Sequence, residues 1–320
     1  VKRGENATMP TASETNDSVA DQEAVYPIRT IANLTGVNAV TLRAWERRYG
    51  LIRPHRTPKG HRLYTERDLE RIKRVLELLD QGVAVSQASQ LLDRPAEERR
   101  TTEEASEPDI WQQYQTRLLN ALEQFDEAAL DSAYNDALSL YPVELVNTRL
   151  VTPLLRLLGQ RWKTNPGGVA EEHFFSVYLR NKLGARIHHL NARRKGQLLL
   201  IACIPGEQHE LGMLMFALAA VSHGYSVLVL GANLPLEQIP RVLRRRRCDA
   251  VVLSASTRPG RLFPDQLRSL VAEAGVPVFV GGAAAERHHD NIEAAEAIPL
   301  GQYVQPALQR IAATLSPRSR

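Results

Sequence analysis

The sequence predicts a multidomain chain. An α-helical winged helix-turn-helix module comes first, a four-helix bundle second, and an α/β domain with a parallel sheet third. Three observations predict it. The 320 residues exceed one ordinary domain of about 150. Apolar residues recur at helical spacing from Ile110 to about Leu190. After Gln197, short apolar runs alternate with amphipathic stretches, the pattern of strands and crossover helices. The expected boundaries are a disordered tail over 1–25, the winged module over 26–92, a linker over 93–109, the bundle over 110–192 and the α/β domain over 193–320.

Residues 1–25 are dominated by Ser, Thr, Asn, Asp and Glu, too polar to pack a core. The run YPIRTIANLTGVNAVTLRAWERRYG reads as helix, tight turn, helix, with Gly36 in the turn and Asn38 as N-cap. Pro58-Lys59-Gly60 then suits a turn between short extended pieces. Residues 26–92 hold twelve Lys/Arg against six Asp/Glu, while the remaining chain holds 28 against 30. A basic module on a near-neutral body points to a polyanionic partner. Residues 93–109 are charged, carry two prolines and read as a linker.

In the bundle region, Trp111, Tyr114, Leu118, Leu122 and Phe125 form one apolar stripe, and Leu130, Tyr134, Ala137 and Leu138 another. Leu145, Leu150, Leu154, Leu157 and Leu158 continue the pattern. Beyond it, LLLIACI, SVLVLG, AVVLSAS and VPVFVGG read as strands separated by helices, with further helices to about Leu315. Ligands of such sheets lie beyond the carboxyl ends of the strands. The loops that matter therefore begin at Pro205, Gly231, Ser254 and Gly281.

Several classes are excluded or disfavoured. The longest apolar run, Met213–Val221, is half of the roughly 18 residues a membrane span needs. Two cysteines make no disulfide framework or structural zinc site, and the polar opening residues show no signal-peptide pattern, so a reducing cytoplasm is expected. Arg244–Arg247 resemble a nucleic-acid patch but fit a solvated helix end better. The pairs His188-His189 and His288-His289 read as surface residues, and Cys203 as strand packing.

The run Tyr26, Ile31-Ala32, Thr35-Gly36-Val37, Thr41-Leu42-Arg43, Ala44-Trp45-Glu46-Arg47-Arg48-Tyr49-Gly50 and Gly60-His61-Arg62-Leu63-Tyr64-Thr65 resembles the MerR-type DNA-binding domain. The resemblance implies that the second helix enters the major groove of promoter DNA while the wing holds the backbone. Helical spacing makes Thr41, Arg43, Arg47 and Arg48 candidate DNA contacts, and Lys59, His61, Arg62 and Tyr64 sit on the expected wing. Trp45 and Leu42 read as core.

The first α/β strand is followed by Gly206-Glu207-Gln208-His209-Glu210-Leu211-Gly212. An isolated histidine after a strand is ordinarily no ligand. Glu207, two residues earlier, is placed to bond one ring nitrogen and orient the other, and Gly212 permits close approach of a large planar group. By spacing, the segment resembles the Asp-x-His-x-x-Gly loop of cobalamin-binding domains, which have a flavodoxin/Rossmann-like fold. Forty-one residues separate Gly212 from Ser254, and another 24 separate Ser256 from Gly281-Gly282. Glu207 stands where aspartate is usual and Ser256 where leucine is. The resemblance implies that His209 is the lower cobalt ligand and that the nucleotide tail threads past Ser254, Ser256, Gly281 and Gly282.

Trp162 precedes Glu172-His173 by nine intervening residues. In isolation these read as a core tryptophan and a helix-surface pair. The spacing nevertheless resembles the Trp-x9-Glu-His signature in the helical cap of the CarH/LitR family of photoreceptor regulators. That resemblance implies that Trp162, Glu172 and His173 contact the adenosyl group of adenosylcobalamin. Lys163 stands where light-responsive relatives can carry a histidine. Taken together, the modules imply a non-enzymatic, light-responsive repressor: an adenosylcobalamin-bound oligomer, a tetramer, that holds DNA in the dark and is released on photolysis. Ser256 and Lys163 keep a second reading open, a regulator of the same architecture that ignores cobalamin and answers to a protein partner. A corrinoid enzyme has no use for the DNA-binding module.

Overall fold

A computed structural model of the chain describes residues 25–92, 109–192 and 195–316. The expected tail and linker, apart from Val25 and Asp109, lie outside the described residues.

The first module opens with β1 (Tyr26–Pro27) and α1 (Ile28–Thr35), followed by α2 (Ala39–Ala44), which widens into a π-type turn over Trp45–Tyr49. Gly36 makes the turn between the helices at φ +71°, a left-handed conformation that a side chain would strain. Asn38 accepts hydrogen bonds from the Val40 and Thr41 N–H groups and so caps α2. The wing is β2 (His55–Arg56) and β3 (Arg62–Tyr64), which pair antiparallel, with β1 on the other side of β3. Thr57 and Gly60 close its tip. A Thr65–Asp68 capping box starts α3 (Glu66–Asp80), and α4 (Val85–Leu92) completes the module. Ile31, Val37, Leu42, Trp45, Leu51 and Ile72 are fully or nearly fully buried beneath it.

The bundle has four helical rods: α5 (Ile110–Glu123), α6 (Glu127–Leu140), a third rod, and α9 (Gly168–Asn191). The third rod runs from α7 (Val143–Val146) through a π-type turn over Asn147–Val151 into α8 (Thr152–Thr164). The expected stripes supply the core: Trp111, Tyr114, Leu118, Leu122, Leu130 and Tyr134 are buried. Phe125 departs from its expected stripe. It terminates α5 at φ +52° and is 49% exposed, because the chain reverses there and turns its ring outward against Phe174.

The third module is a five-stranded, all-parallel sheet in the order β5-β4-β6-β7-β8. Its strands are β4 (Leu198–Cys203), β5 (Ser226–Gly231), β6 (Ala250–Ser254), β7 (Val278–Gly281) and β8 (Ile298–Gly301). The connecting helices are α10 (Glu210–Ser222), α11 (Ile239–Arg245), α12 (Phe263–Ala274), and the short α13 (Ala283–Arg287) and α14 (His289–Glu293). The last, α15 (Val304–Leu315), follows β8. Alternate residues of β4 face two separate cores: Leu199, Ile201 and Cys203 face α10 and α15, while Leu200 and Ala202 face α11 and α12. The strand β8 is not expected from the sequence. Ile-Pro-Leu-Gly is four residues with a central proline, which an edge position tolerates but propensity does not suggest.

The run Met213–Val221 becomes most of α10. Apolar nearly all round, this helix is sandwiched between the sheet and α9, which is why it shows almost no amphipathic face. Among the described residues no helix is long and apolar enough to cross a membrane. Strand order reverses at β4, because the chain leaves it for β5 on one side and later returns to β6 on the other. The crevice beyond the carboxyl ends of β4 and β6 is therefore the expected ligand position.

Candidate cofactor site and DNA interface

The DNA-facing candidates divide by exposure. Arg43, Arg47 and Arg48 project from α2 and its wide turn into solvent, and Lys59 and His61 are exposed on the wing. Two expected contacts are corrected. Thr41 is fully buried, its Oγ1 accepting a 2.9 Å bond from Asn38 Nδ2. Tyr64 is also fully buried, and burial pushes its phenol up to about 12. Both belong to the core: Thr41 lies on α2, which packs on α1, and Tyr64 on β3, which packs on α1 and α3. Arg62 is mostly buried and bonded to Glu46. Arg56, from β2, reaches the same carboxylate at 2.8 Å. Burial would raise the Glu46 carboxyl, but the bonds from Arg62 and Arg56 hold it below the usual range. Glu46 thus ties the wing to the recognition helix. Sequence reading assigned it no role, although it is the lone acid among the basic residues of Ala44–Gly50.

The loop after β4 places Glu207 and His209 in direct contact. Glu207 is fully buried, an expensive position for a carboxylate unless it is paired. Its Oε1 accepts from the His209 N–H at 2.8 Å and contacts His209 Nδ1 at 2.7 Å. Its Oε2 accepts from the Ser256 and Thr257 N–H groups at 2.8 and 2.7 Å, and from Thr257 Oγ1 at 3.0 Å. Burial alone would raise this carboxyl, yet the bonds from His209, Thr257 and Ser256 outweigh it and lower its pKa. An ionised carboxylate only accepts, so Nδ1 of a neutral ring carries the proton and Nε2 keeps its lone pair. The His209 side chain is 73% exposed, so that lone pair is open to a ligand. Among the described residues no three metal-ligating side chains gather. A single imidazole suits a metal whose remaining ligands come with its own macrocycle.

Beside this loop lies a cavity of about 790 Å³, the size of an ordinary small-molecule site. Gly212, Ser254, Ser256, Gly281 and Gly282, all singled out from sequence, line it. Gly282 is required: at φ +106°, a Cβ there would stand 2.4 Å from the Ala255 carbonyl oxygen. A Cβ on Gly212 would meet nothing within 4 Å, so this glycine borders open space where a bulky group can approach. The opposite wall comes partly from the bundle, through Glu144, Thr148 and Arg156. No sequence signal marked those three. The residues therefore fit a corrinoid: an oriented imidazole stands at the strand end, close to a largely apolar cavity.

The cap residues lie at the junction of α8 and α9. Trp162 is 47% exposed and not part of the core. Its ring lies 5.7 Å from that of His173 at an interplanar angle of 37°. Glu172 is turned along its own helix, where it accepts a 2.6 Å bond from Ser176. Further along α9, Arg180 pairs at 2.6 Å with Glu210, the residue after His209. The helix that carries His173 is thus tied to the loop that carries the oriented imidazole.

Comparison with known proteins follows the same modules. Residues 26–95 match the MerR HTH family of regulatory proteins, and residues 114–187 and 198–305 match two B12 binding domain families. The HTH-type transcriptional repressor CarH of Myxococcus xanthus is 36% identical over 276 residues, covering 83% of this chain and 91% of that protein. The repressor CarA of the same organism is 33% identical over 82% of this chain and 88% of its own length. Among solved structures, the monomethylamine corrinoid protein of Methanosarcina barkeri is similar in fold, with a TM-score of 0.50 at 16% identity, covering 63% of this chain and 99% of that one. Similarity to the repressors runs through the DNA-binding and B12-binding modules alike, and the chain belongs to the CarH family of MerR-type transcriptional regulators with a cobalamin-binding domain.

Proposed function

We propose that the chain is a light-responsive transcriptional repressor of the cytoplasm that uses adenosylcobalamin and acts as regulator, not enzyme. The observation that carries the reading is His209: its Nδ1 contacts buried Glu207, its side chain is exposed, and Gly212 and Ser256 close by line the cavity. Adenosylcobalamin, when bound, supplies a light-labile cobalt–carbon bond and a bulky upper group. His209 Nε2 would be the residue that holds the cobalt. Ser254, Ser256, Gly281 and Gly282 would receive the nucleotide tail, since they line the cavity. Trp162, His173 and Glu172, on the cap, would pack over the upper group.

The switching argument concerns populations. A cap that touches the upper group is stabilised in that pose by contact with it, and so is any assembly made from that pose. Loss of the contact would remove that stabilisation of the cap and weaken the assembly, a tetramer in this reading. Separated protomers lose avidity for promoter DNA, a loss of about 100-fold or more with Arg43, Arg47 and Arg48 unchanged. The test is an absorbance spectrum of the protein with adenosylcobalamin in the dark and after green illumination, with promoter binding and oligomer size followed in parallel. A spectral change accompanied by DNA release supports the proposal. Bound cofactor with light-independent DNA binding overturns the light response, and failure to bind cobalamin overturns the whole reading.

A further inference from the structure

Trp162 and the Glu172-His173 pair are each preceded by a charged residue, and the two are of opposite sign. Arg161 comes before Trp162, and Glu171 comes before Glu172-His173. The two meet across the α8–α9 junction. Arg161 Nε lies 3.0 Å from Glu171 Oε2, and Nη2 donates to Glu171 Oε1 at 3.2 Å and to Glu123 Oε1 at 2.8 Å. The Glu171 side chain is only 9% exposed and that of Arg161 18%. The loop is drawn tight there. The Arg161 carbonyl accepts from the Asn165 N–H, and a Cβ on Gly168 would stand 2.4 Å from that same carbonyl oxygen.

We infer that Arg161 and Glu171 are positioning residues for the cap: their ion pair sets the α8–α9 separation and thereby holds Trp162 against His173. The contact of two exposed rings is weak. Depriving the buried Glu171 carboxylate of the Arg161 guanidinium is a far stronger constraint, because it leaves a buried charge uncompensated unless the site opens to water. Arg161 is shared with Glu123 of α5, so the same guanidinium also fixes the loop to the bundle.

The inference rests on the proposed role of the cap, but its test does not require the cofactor. Trp45 and Trp111 are 0% and 4% exposed, so iodide quenching of the cofactor-free protein reports on Trp162, and Trp162→Phe checks that assignment. Arg161→Met should raise the iodide quenching constant about twofold, as the 47% exposed indole becomes almost fully exposed. Arg161→Lys, which keeps the charge, should stay near wild type. Glu171→Gln, nearly isosteric, should move with Arg161→Met and serves if that variant does not fold. Unchanged quenching in a folded Arg161→Met or Glu171→Gln protein overturns the inference. Adenosylcobalamin affinity of the same variants separates the two claims. A displaced Trp162 with lowered affinity supports both. A displaced Trp162 with wild-type affinity upholds the positioning role and overturns contact between cap and cofactor.

Discussion

Replacing Glu207 by Gln tests the site at its most constrained atom. The carboxylate accepts five contacts, two on Oε1 from His209 and three on Oε2 from Ser256 and Thr257. An amide offers one oxygen and one NH2. Turned toward His209, the NH2 orphans the His209 N–H; turned the other way, it orphans the Ser256 and Thr257 N–H groups. One or two orphaned donors cost about 1–6 kcal/mol in all, so chemical denaturation should show a loss in that range. If the NH2 faces His209, Nδ1 must accept, Nε2 takes the proton, and the lone pair for cobalt is gone. If it faces Ser256 and Thr257, the loop they belong to is released from the β4 turn. Either outcome should weaken cobalamin binding about 10–100-fold, the usual effect of removing a partner that orients a ligating histidine. Glu207→Asp keeps the charge and the tautomer and should bind more tightly than the Gln variant. A Gln variant with wild-type stability and affinity, measured by denaturation and spectral titration, would refute the reasoning.

The other predictions follow from the same geometry. His209→Ala should abolish the spectral signature of histidine ligation while leaving the fold intact, because its ring is exposed; a retained signature removes it as the lower ligand. Arg43→Ala should weaken promoter binding, and Lys59→Ala should lower the salt slope of binding by about one, whereas Tyr64→Ala should instead destabilise the module; equal loss of DNA affinity without unfolding would return Tyr64 to the interface. Burial pushes Tyr64, Tyr134 and Tyr141 up to about 12 from 10.0. These raised groups contribute stability that is complete below pH 10 and is lost as pH rises toward 12. Absorbance at alkaline pH should therefore show delayed tyrosine ionisation that ends with unfolding.

Much of this architecture was legible because its signals are local and periodic. The two helices of the DNA-binding module, the stripes of the bundle and four of the five strands follow from apolar spacing, and Asn38 and Gly36 perform the turn chemistry their types suggest. Misses occur where tertiary context decides. Tyr64 and Thr41 look like surface residues on a basic module, yet the sheet pleat and the α2 face turn them inward. Trp162 has the size of a core residue but sits past the last packed turn of α8. Glu46, Glu144 and the Arg161–Glu171 pair could not be singled out, because their partners are brought close only by folding.

The packing of the first module on the second bears on how any signal reaches DNA. Trp45, on the buried face of the recognition helix, donates from Nε1 to the Leu140 carbonyl at 2.9 Å. Trp111 Nε1 donates to the Leu79 carbonyl at 3.1 Å, and Arg149 makes paired bonds of 2.8 and 2.7 Å to Asp80. The ion pair is exposed and worth little by itself. The two indoles are different: they are buried, and separating the modules would strip both N–H groups of their acceptors while exposing large apolar surface. In this conformation the DNA-binding module is docked, and its orientation is set by the ends of α6 and α5. The third rod, by contrast, faces two ways. Arg149 on it holds the DNA-binding module, while Glu144, one turn earlier, lines the cavity and accepts a 2.6 Å bond from Gln305 of α15. The third rod thus contacts the cavity through Glu144 and the DNA-binding module through the exposed Arg149–Asp80 pair, while the buried indole bonds of Trp45 and Trp111 set how that module sits on the bundle.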